Sequence, residues 1–296
     1  MNIIDKKILE KINAEITNRM FEVAERDFEI KLRVSKESIL RVKEVFNDFY
    51  VMFSGGKDSL VILDLVISTI GLENTYVVYI EIPGNTHELN IKYTYSIIEK
   101  YGVPKEKFLH LKSNHDFYEL VGKWGWPGPR RRWCMTTFKK QVINKYLKDK
   151  LSVTGVKAYD SGWRKKWIGA GALGVIPGWK SIYFKPIFHW NNNDVKTYIS
   201  KYIKPKGIDL NPLYSIIGGS ANCVYCPYNA NPDYYVRLFV NYPHWARKLL
   251  EAEKIVRKGA PFLNGKGKVY FEDLIKKGVS IKSGKCVGEA LGLCEV

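Results

Sequence analysis

The stretch Phe53-Ser54-Gly55-Gly56-Lys57-Asp58-Ser59 lies between an apolar run at residues 49–53 and a helical-looking run at residues 60–70. A strand that ends in two glycines and passes straight into a helix turns several backbone N–H groups and a helix N-terminus toward one spot, which is how a chain binds phosphate. Gly55 and Gly56 allow a tight turn and close approach to an anion, while Lys57 and the hydroxyls of Ser54 and Ser59 add charge and donors. The loop is not of the Walker A kind, because the four-residue spacer before Gly-Lys is missing.

Downstream of the loop, residues 75–82 read as a buried parallel strand built on Tyr-Val-Val-Tyr-Ile, residues 87–101 as a helix and residues 107–111 as a further strand. Short β-type runs at residues 152–156 and 182–187 and a helix at residues 194–202 continue the alternation. The pattern predicts an α/β fold: a doubly wound, mainly parallel, Rossmann-like sheet that binds ligands at the carboxyl ends of its strands. Glu81 falls at such an end, where a carboxylate reaches a ribose or an ion, or is simply solvated. The Gly- and Trp-rich residues 151–180 read as a mobile loop over the active site.

Upstream, Ile8, Ile12, Ile16, Met20 and Val23 recur at helical spacing, so residues 4–30 are expected to form one amphipathic helix. Ser35 with Glu37 and Ser38 marks the expected start of a second helix, running to residue 48. The chain thus divides into a helical leader (1–48), a nucleotide-binding α/β domain (49–215) and a cysteine-containing helical region with a tail (216–296). Packing on the core is the default role for the leader, with dimerisation or partner contact as the alternatives.

The chain has 296 residues, of which 46% are hydrophobic, enough for one large or two modest domains with a packed core. The most apolar stretch, residues 60–70, is interrupted by Asp64 and is too short to span a membrane. The start Met-Asn-Ile-Ile-Asp-Lys-Lys lacks an apolar core followed by a cleavage site, so a cytoplasmic protein is expected. A net charge of +17 attracts polyanions such as nucleic acid, a lysine-rich or heat-adapted surface being the plainer explanation. Residues 123–148 hold eight Lys or Arg and no Asp or Glu, beginning with Trp124, Trp126 and Arg130-Arg131-Arg132. Arginines interleaved with tryptophans suit phosphate contact and base stacking, or else hold a nucleotide's own phosphates; the second use is assigned to Arg132 and the first to the others.

Five cysteines, an odd number, point to metal or redox chemistry rather than a disulfide framework. Cys223-Val-Tyr-Cys226-Pro227 places two sulfurs where one metal centre takes both, and Cys134, Cys286 and Cys294 are available as further ligands. Three cysteine ligands leave one iron of a cubane cluster open to substrate or hydrosulfide, and Cys294 or Cys286 either closes the site or acts as a tail nucleophile. A buried structural zinc is the alternative.

Together these residues resemble the phosphoadenylylsulfate (PAPS) reductase family of the PP-loop ATP pyrophosphatase superfamily over about residues 49–245. The matching parts are the loop Ser54 to Ser59, Glu81 and Glu88, Arg132-Trp133-Cys134-Met135-Thr136 with Lys139, Gly162-Trp163-Arg164, Lys185-Pro186-Ile187 with Trp190 and Asp194, Asn211-Pro212-Leu213-Tyr214 and Cys223 to Pro227. The resemblance implies an adenine-nucleotide α-hydrolase-like fold, an adenylyl nucleotide over the loop, and Arg164 contacting phosphate or sulfate. The chain departs from the family at Cys134-Met135, where cubane-bearing members often have adjacent cysteines, and in its intact loop, which is degenerate in many sulfonucleotide reductases but kept in archaeal-type relatives.

Three functions follow as expectations. The first is ATP-dependent, pyrophosphate-releasing sulfur transfer to a tRNA base or DNA. There Lys57 and the loop amides hold pyrophosphate, Arg164 the α-phosphate and Asp58 part of a magnesium ion, while Cys134, Cys223, Cys226 and Cys294 hold a 4Fe-4S cluster fed by a sulfur or thiol donor protein. The second is a PAPS or APS reductase with Cys286 or Cys294 as nucleophile. The third is a non-catalytic protein that binds nucleotide and nucleic acid.

Overall fold

A computed structural model of the chain describes residues 6–129, 131–160, 171–229, 231–256, 262–264 and 267–277. They fall into two compact units that interleave along the chain. The first takes the residues up to Ile80 with Lys92–Leu111 and Lys140–Leu210, the second Glu81–Ile91, Lys112–Lys139 and the residues from Asn211 on. The division expected at residues 48 and 215 is linear, whereas Glu81–Ile91 and Lys112–Lys139 lie with the residues from Asn211 on in the second unit.

Six strands build the sheet: β1 (Phe49–Met52), β2 (Thr75–Glu81), β3 (Phe108–Lys112), β4 (Leu151–Val153), β5 (Leu173–Val175) and β6 (Ile182–Phe184), in the order β3-β2-β1-β4-β6-β5. β1 pairs in parallel with β2 and β4, and β4 with β6, while β5 runs antiparallel to β6. Val51 faces Val77 on one side and Val153 on the other, and all three are fully buried, as central parallel strands require. The strand order reverses between β1 and β4, so their carboxyl ends flank the switch point where α/β sheets bind ligands.

The helical leader belongs to the first unit, and it breaks earlier than its periodicity suggests. Helix α1 covers Lys6–Glu22 and α2 covers Phe28–Lys43, where one helix was expected over residues 4–30. Asp27 takes an extended backbone (ψ 150°), ending one helical path and opening the next. Ser35, expected as a helix start, lies inside α2, fully buried, and accepts a hydrogen bond from Trp190 Nε1 at 3.0 Å. Its hydroxyl serves a tertiary contact rather than a cap.

Helix α1 also explains β5, which falls in the stretch expected to be a mobile loop. The side chain of Asn13 accepts from the Leu173 N–H at 2.9 Å and Thr17 Oγ1 from the Ala172 N–H at 2.9 Å. Backbone donors at this edge strand are thereby satisfied by side chains rather than by another strand. Helix α3 (Lys57–Ile70) carries the buried Asp64, which accepts from the hydroxyls of Tyr101 and Tyr198, each at 2.7 Å, and from Lys206. Those bonds fix the helix that begins at the glycine loop.

The second unit gathers an aromatic core, with Phe117, Tyr225, Tyr235, Phe239 and Phe271 buried together. Helix α5 (Phe117–Trp124) is capped by Asp116, whose side chain accepts from the Tyr118 and Glu119 N–H groups. Among the described residues, no helix is long and apolar enough to cross a membrane.

In the first unit, His189 is fully buried, and burial lowers its pKa from 6.5 to about 4, with the Lys31 carbonyl near Nε2 opposing the shift. An unfolded chain therefore binds a proton at His189 that the folded chain refuses between those values, so stability falls as pH drops from 6.5 toward 4. Denaturant titrations across that window should show a loss of up to about 3 kcal/mol from this group, and His189→Gln should flatten the slope.

Candidate functional site

The glycine loop folds as its residue types dictate. Gly55 adopts φ +72°, a conformation that side chains resist, and Gly56 is the extended N-cap of α3. Ser59 Oγ ties the turn together: it donates to the Gly56 carbonyl at 2.7 Å and accepts from the Ser54 N–H and hydroxyl, each at 3.2 Å. The helix N-terminus therefore opens on this turn, at the carboxyl end of β1.

A second loop, leaving β4, completes this site with a residue that sequence reading missed. Lys157 is 1% exposed, and its ammonium donates to Asp58 Oδ1 at 2.6 Å and pairs with Asp160 Oδ1 at 2.9 Å. Lys57 donates to the other Asp58 oxygen at 2.9 Å. Asp58 thus sits between two lysines, one from each loop at the switch point. Gly155 lies close enough that a Cβ there would meet the Asp58 carbonyl oxygen at 2.9 Å. One residue earlier, Thr154 Oγ1 is buried with no hydrogen-bond partner. The sequence signal was present in the Gly-Val-Lys that follows β4, but a lysine in a lysine-rich chain does not announce burial.

Each Asp58 oxygen accepts from one ammonium, Oδ2 from Lys57 and Oδ1 from Lys157. Its geometry suits holding Lys57 and Lys157 at fixed positions. Glu81 is the last residue of β2 and half-buried. Arg164 lies outside the described residues.

In the second unit the cysteines are positioned by a turn that was read from sequence only as a strand end. Asn85, 1% exposed, clamps the residue between Cys223 and Cys226: its Oδ1 accepts from the Tyr225 N–H at 2.9 Å and its Nδ2 donates to the Tyr225 carbonyl at 2.9 Å. The Asn85 carbonyl accepts from Val224 N–H at 2.7 Å, and Thr86 Oγ1 donates to Asn222 O at 2.9 Å. Glu88, at the start of helix α4 (Glu88–Lys100), accepts from Trp245 Nε1 at 3.0 Å and faces His244 Nε2 at 3.2 Å. Cys134 sits in the short helix Trp133–Met135, held by Trp133 Nε1 donating to the Gly125 carbonyl at 3.1 Å.

The three described cysteines are free thiols and feel one another's charge. Burial pushes Cys223 up to about 11, with Lys139 pulling it down and Cys226 and Cys134 pushing it up. Burial, then Cys226, likewise raises Cys134, which Lys139 and Arg132 oppose. Among the described residues no three His, Cys, Asp or Glu side chains converge as a metal site. Desolvated thiols drawn from two segments, with a lysine beside them, fit a cysteine-held soft-metal centre in donor chemistry. Cys286 and Cys294, expected to complete the ligand set or supply a nucleophile, lie outside the described residues. Arg132, expected to hold a nucleotide, has its guanidinium 4.9 Å from the centre of the Tyr228 ring.

A family model described as the phosphoadenosine phosphosulfate reductase domain matches residues 48–227. Two uncharacterized proteins of Methanocaldococcus jannaschii are 32% identical over 184 residues and 25% identical over 232 residues, covering 60% and 75% of this chain. The chain spans 35% of the first relative's length and 53% of the second's. Among solved structures, the fold is similar to phosphoadenylyl-sulfate reductase from Candida auris in a phosphate complex (16% identity, TM-score 0.46, 67% of this chain and 90% of that one). It is also similar to the U34-tRNA thiolase of Methanococcus maripaludis with its 4Fe-4S cluster (17% identity, TM-score 0.41, 97% and 91%).

Two outcomes test this geometry. Gly155→Ala should drive a methyl group against the Asp58 backbone and lower stability by about 1–3 kcal/mol, as read by thermal melts. Alkylation of Cys223, followed by mass spectrometry, should be slow at neutral pH and rise about tenfold per pH unit toward 11. Lys139→Gln should slow it further.

Proposed function

The chain belongs to the phosphoadenosine phosphosulfate reductase domain family, and from that premise we propose that it is an ATP-cleaving sulfurtransferase acting on nucleic acid. The observation that carries the reading is the intact Ser-Gly-Gly-Lys-Asp-Ser turn, folded at a helix N-terminus with Lys57 and Lys157 both held on Asp58. Such a turn receives pyrophosphate, a leaving group that a sulfonucleotide reductase never produces.

The acceptor's oxygen attacks the α-phosphorus and pyrophosphate departs into the loop, where the amides and the two lysines meet its charge. Arg164 faces the α-phosphate in this scheme. Sulfur entering as sulfide then adds at the acceptor carbon, and AMP leaves carrying the original oxygen, so the reaction needs no external oxidant or reductant. Cys134, Cys223 and Cys226, with Cys294 as a fourth, would hold an iron–sulfur cluster, which when bound supplies a site for the incoming sulfide. Lys139 and Arg132 supply positive charge beside the thiols and so favour their ligating, thiolate form. Net charge of +17 and the acid-free basic stretch at residues 123–148 support a polyanionic acceptor, a tRNA base or DNA, in a cytoplasmic setting.

A second reading, reduction of PAPS or APS with Cys286 or Cys294 as nucleophile, is favoured by the family's own description. Protein purified without oxygen and supplied with ATP, sulfide and bulk tRNA or DNA should release pyrophosphate only when nucleic acid is present. Lys57→Ala should abolish that release. Sulfite formed from PAPS, with no pyrophosphate from ATP, would replace the first reading by the second.

A further inference from the structure

Tyr228 is 60% exposed, the most exposed aromatic ring among the described residues. It stands two residues beyond Cys226, in a turn closed by the Asn229 N–H donating to the Cys226 carbonyl at 2.9 Å. The guanidinium of Arg132, itself exposed and two residues before Cys134, lies 4.9 Å from the ring centre. Trp124 is 43% exposed and packs edge-on at 5.4 Å against Trp133, the residue before Cys134. Two exposed rings, Trp124 and Tyr228, and the exposed Arg131 and Arg132 thus lie within ten residues of a cysteine in the chain, and residues 123–148 hold no Asp or Glu.

An exposed cation–π pair adds only about 0.5–1 kcal/mol to folding, so the pairing of this ring with Arg132 leaves its other face free to stack on a ligand. Phenol rings and guanidinium planes both stack on nucleobases, and such stacking demands a base freed from its partner strand. We propose that Tyr228 and Arg132 form a stacking platform that receives one unpaired nucleobase of a single-stranded nucleic acid and presents it beside Cys134, Cys223 and Cys226. This inference rests on the nucleic-acid reading above and narrows it: the acceptor is an unpaired base, in a loop or a single strand, rather than a base within a duplex.

The test is a binding titration that requires no turnover. A single-stranded oligoribonucleotide carrying 2-aminopurine, and the same oligonucleotide paired into a full duplex, are titrated with the complete chain at several salt concentrations. The wild-type protein should quench the fluorophore in the single strand and bind it more tightly than the duplex. Tyr228→Ala should abolish the quench and weaken single-strand binding about tenfold, the loss of one base stack, while Tyr228→Trp retains both. The dependence of affinity on salt should not change in Tyr228→Ala, because a stacking residue releases no counterions. Equal affinity of wild type and Tyr228→Ala for the single strand, with Cys223 alkylated as slowly as in wild type, would overturn the platform, as would tighter binding of the duplex. Quenching by a protein that makes sulfite from PAPS and no pyrophosphate would retain the platform and remove the sulfurtransferase reading. Nucleic-acid-dependent pyrophosphate release that survives Tyr228→Ala with unchanged affinity would do the reverse.

Discussion

A lysine that is 1% exposed must be neutralised, and the first unit is arranged around how Lys157 meets that requirement. Removing one partner of a buried ion pair costs about 3–5 kcal/mol because it strands the other charge. Lys157 has two carboxylates, Asp58 from the loop after β1 and Asp160 from its own turn. The two loops at the switch point are therefore tied to each other by charge, and Gly155 is small enough to let their backbones approach. Since Asp58 also holds Lys57, the same carboxylate that neutralises the buried lysine aims the loop lysine. Asp64, two turns further along α3, anchors that helix through two tyrosine hydroxyls and Lys206, so the helix end that opens on the loop is held at both ends of its first half.

The second unit solves a different problem, that of fixing thiols without a covalent link. Asn85 does this by presenting an amide to both backbone groups of Tyr225, imitating a strand pairing at a single residue. Tyr225 in turn donates from its hydroxyl to the Pro127 carbonyl at 2.9 Å, so the segment leading to Cys134 and the turn bearing Cys223 and Cys226 share one aromatic anchor. Burial keeps the Cys223 thiol protonated at neutral pH, and Lys139 offsets only part of that effect.

How legible this was in the sequence varied with the range of the forces involved. The glycine loop, the strand at Thr75–Glu81 and the parallel character of the sheet could be read because they depend on residues adjacent in the chain: glycine freedom, β-branched runs, short turns. The leader's break at Asp27 could not, since the apolar spacing runs on through it and only the backbone turn reveals two helices. Edge strand β5 was hidden for the complementary reason: Leu-Gly-Val is too short to signal a strand, and its partners Asn13 and Thr17 are more than 150 residues away.

The site shows the same division. The turn from Ser54 to Ser59 and the Cys223–Cys226 spacing could be picked out by residue type and order, and through them the family, because a local motif is written in adjacent residues. Lys157, Asn85 and Tyr228 did not, since each is an ordinary residue whose role comes from what lies across from it. By itself the sequence determined the glycine turn between strand and helix, the class of fold and the family. Only the tertiary structure decided that Asp58 is a partner of lysines, that an asparagine sets the cysteine turn, and that an arginine lies over an exposed tyrosine. Charge pairing, hydrogen bonding and ring stacking act over a few ångströms in space, and chain order does not record that distance.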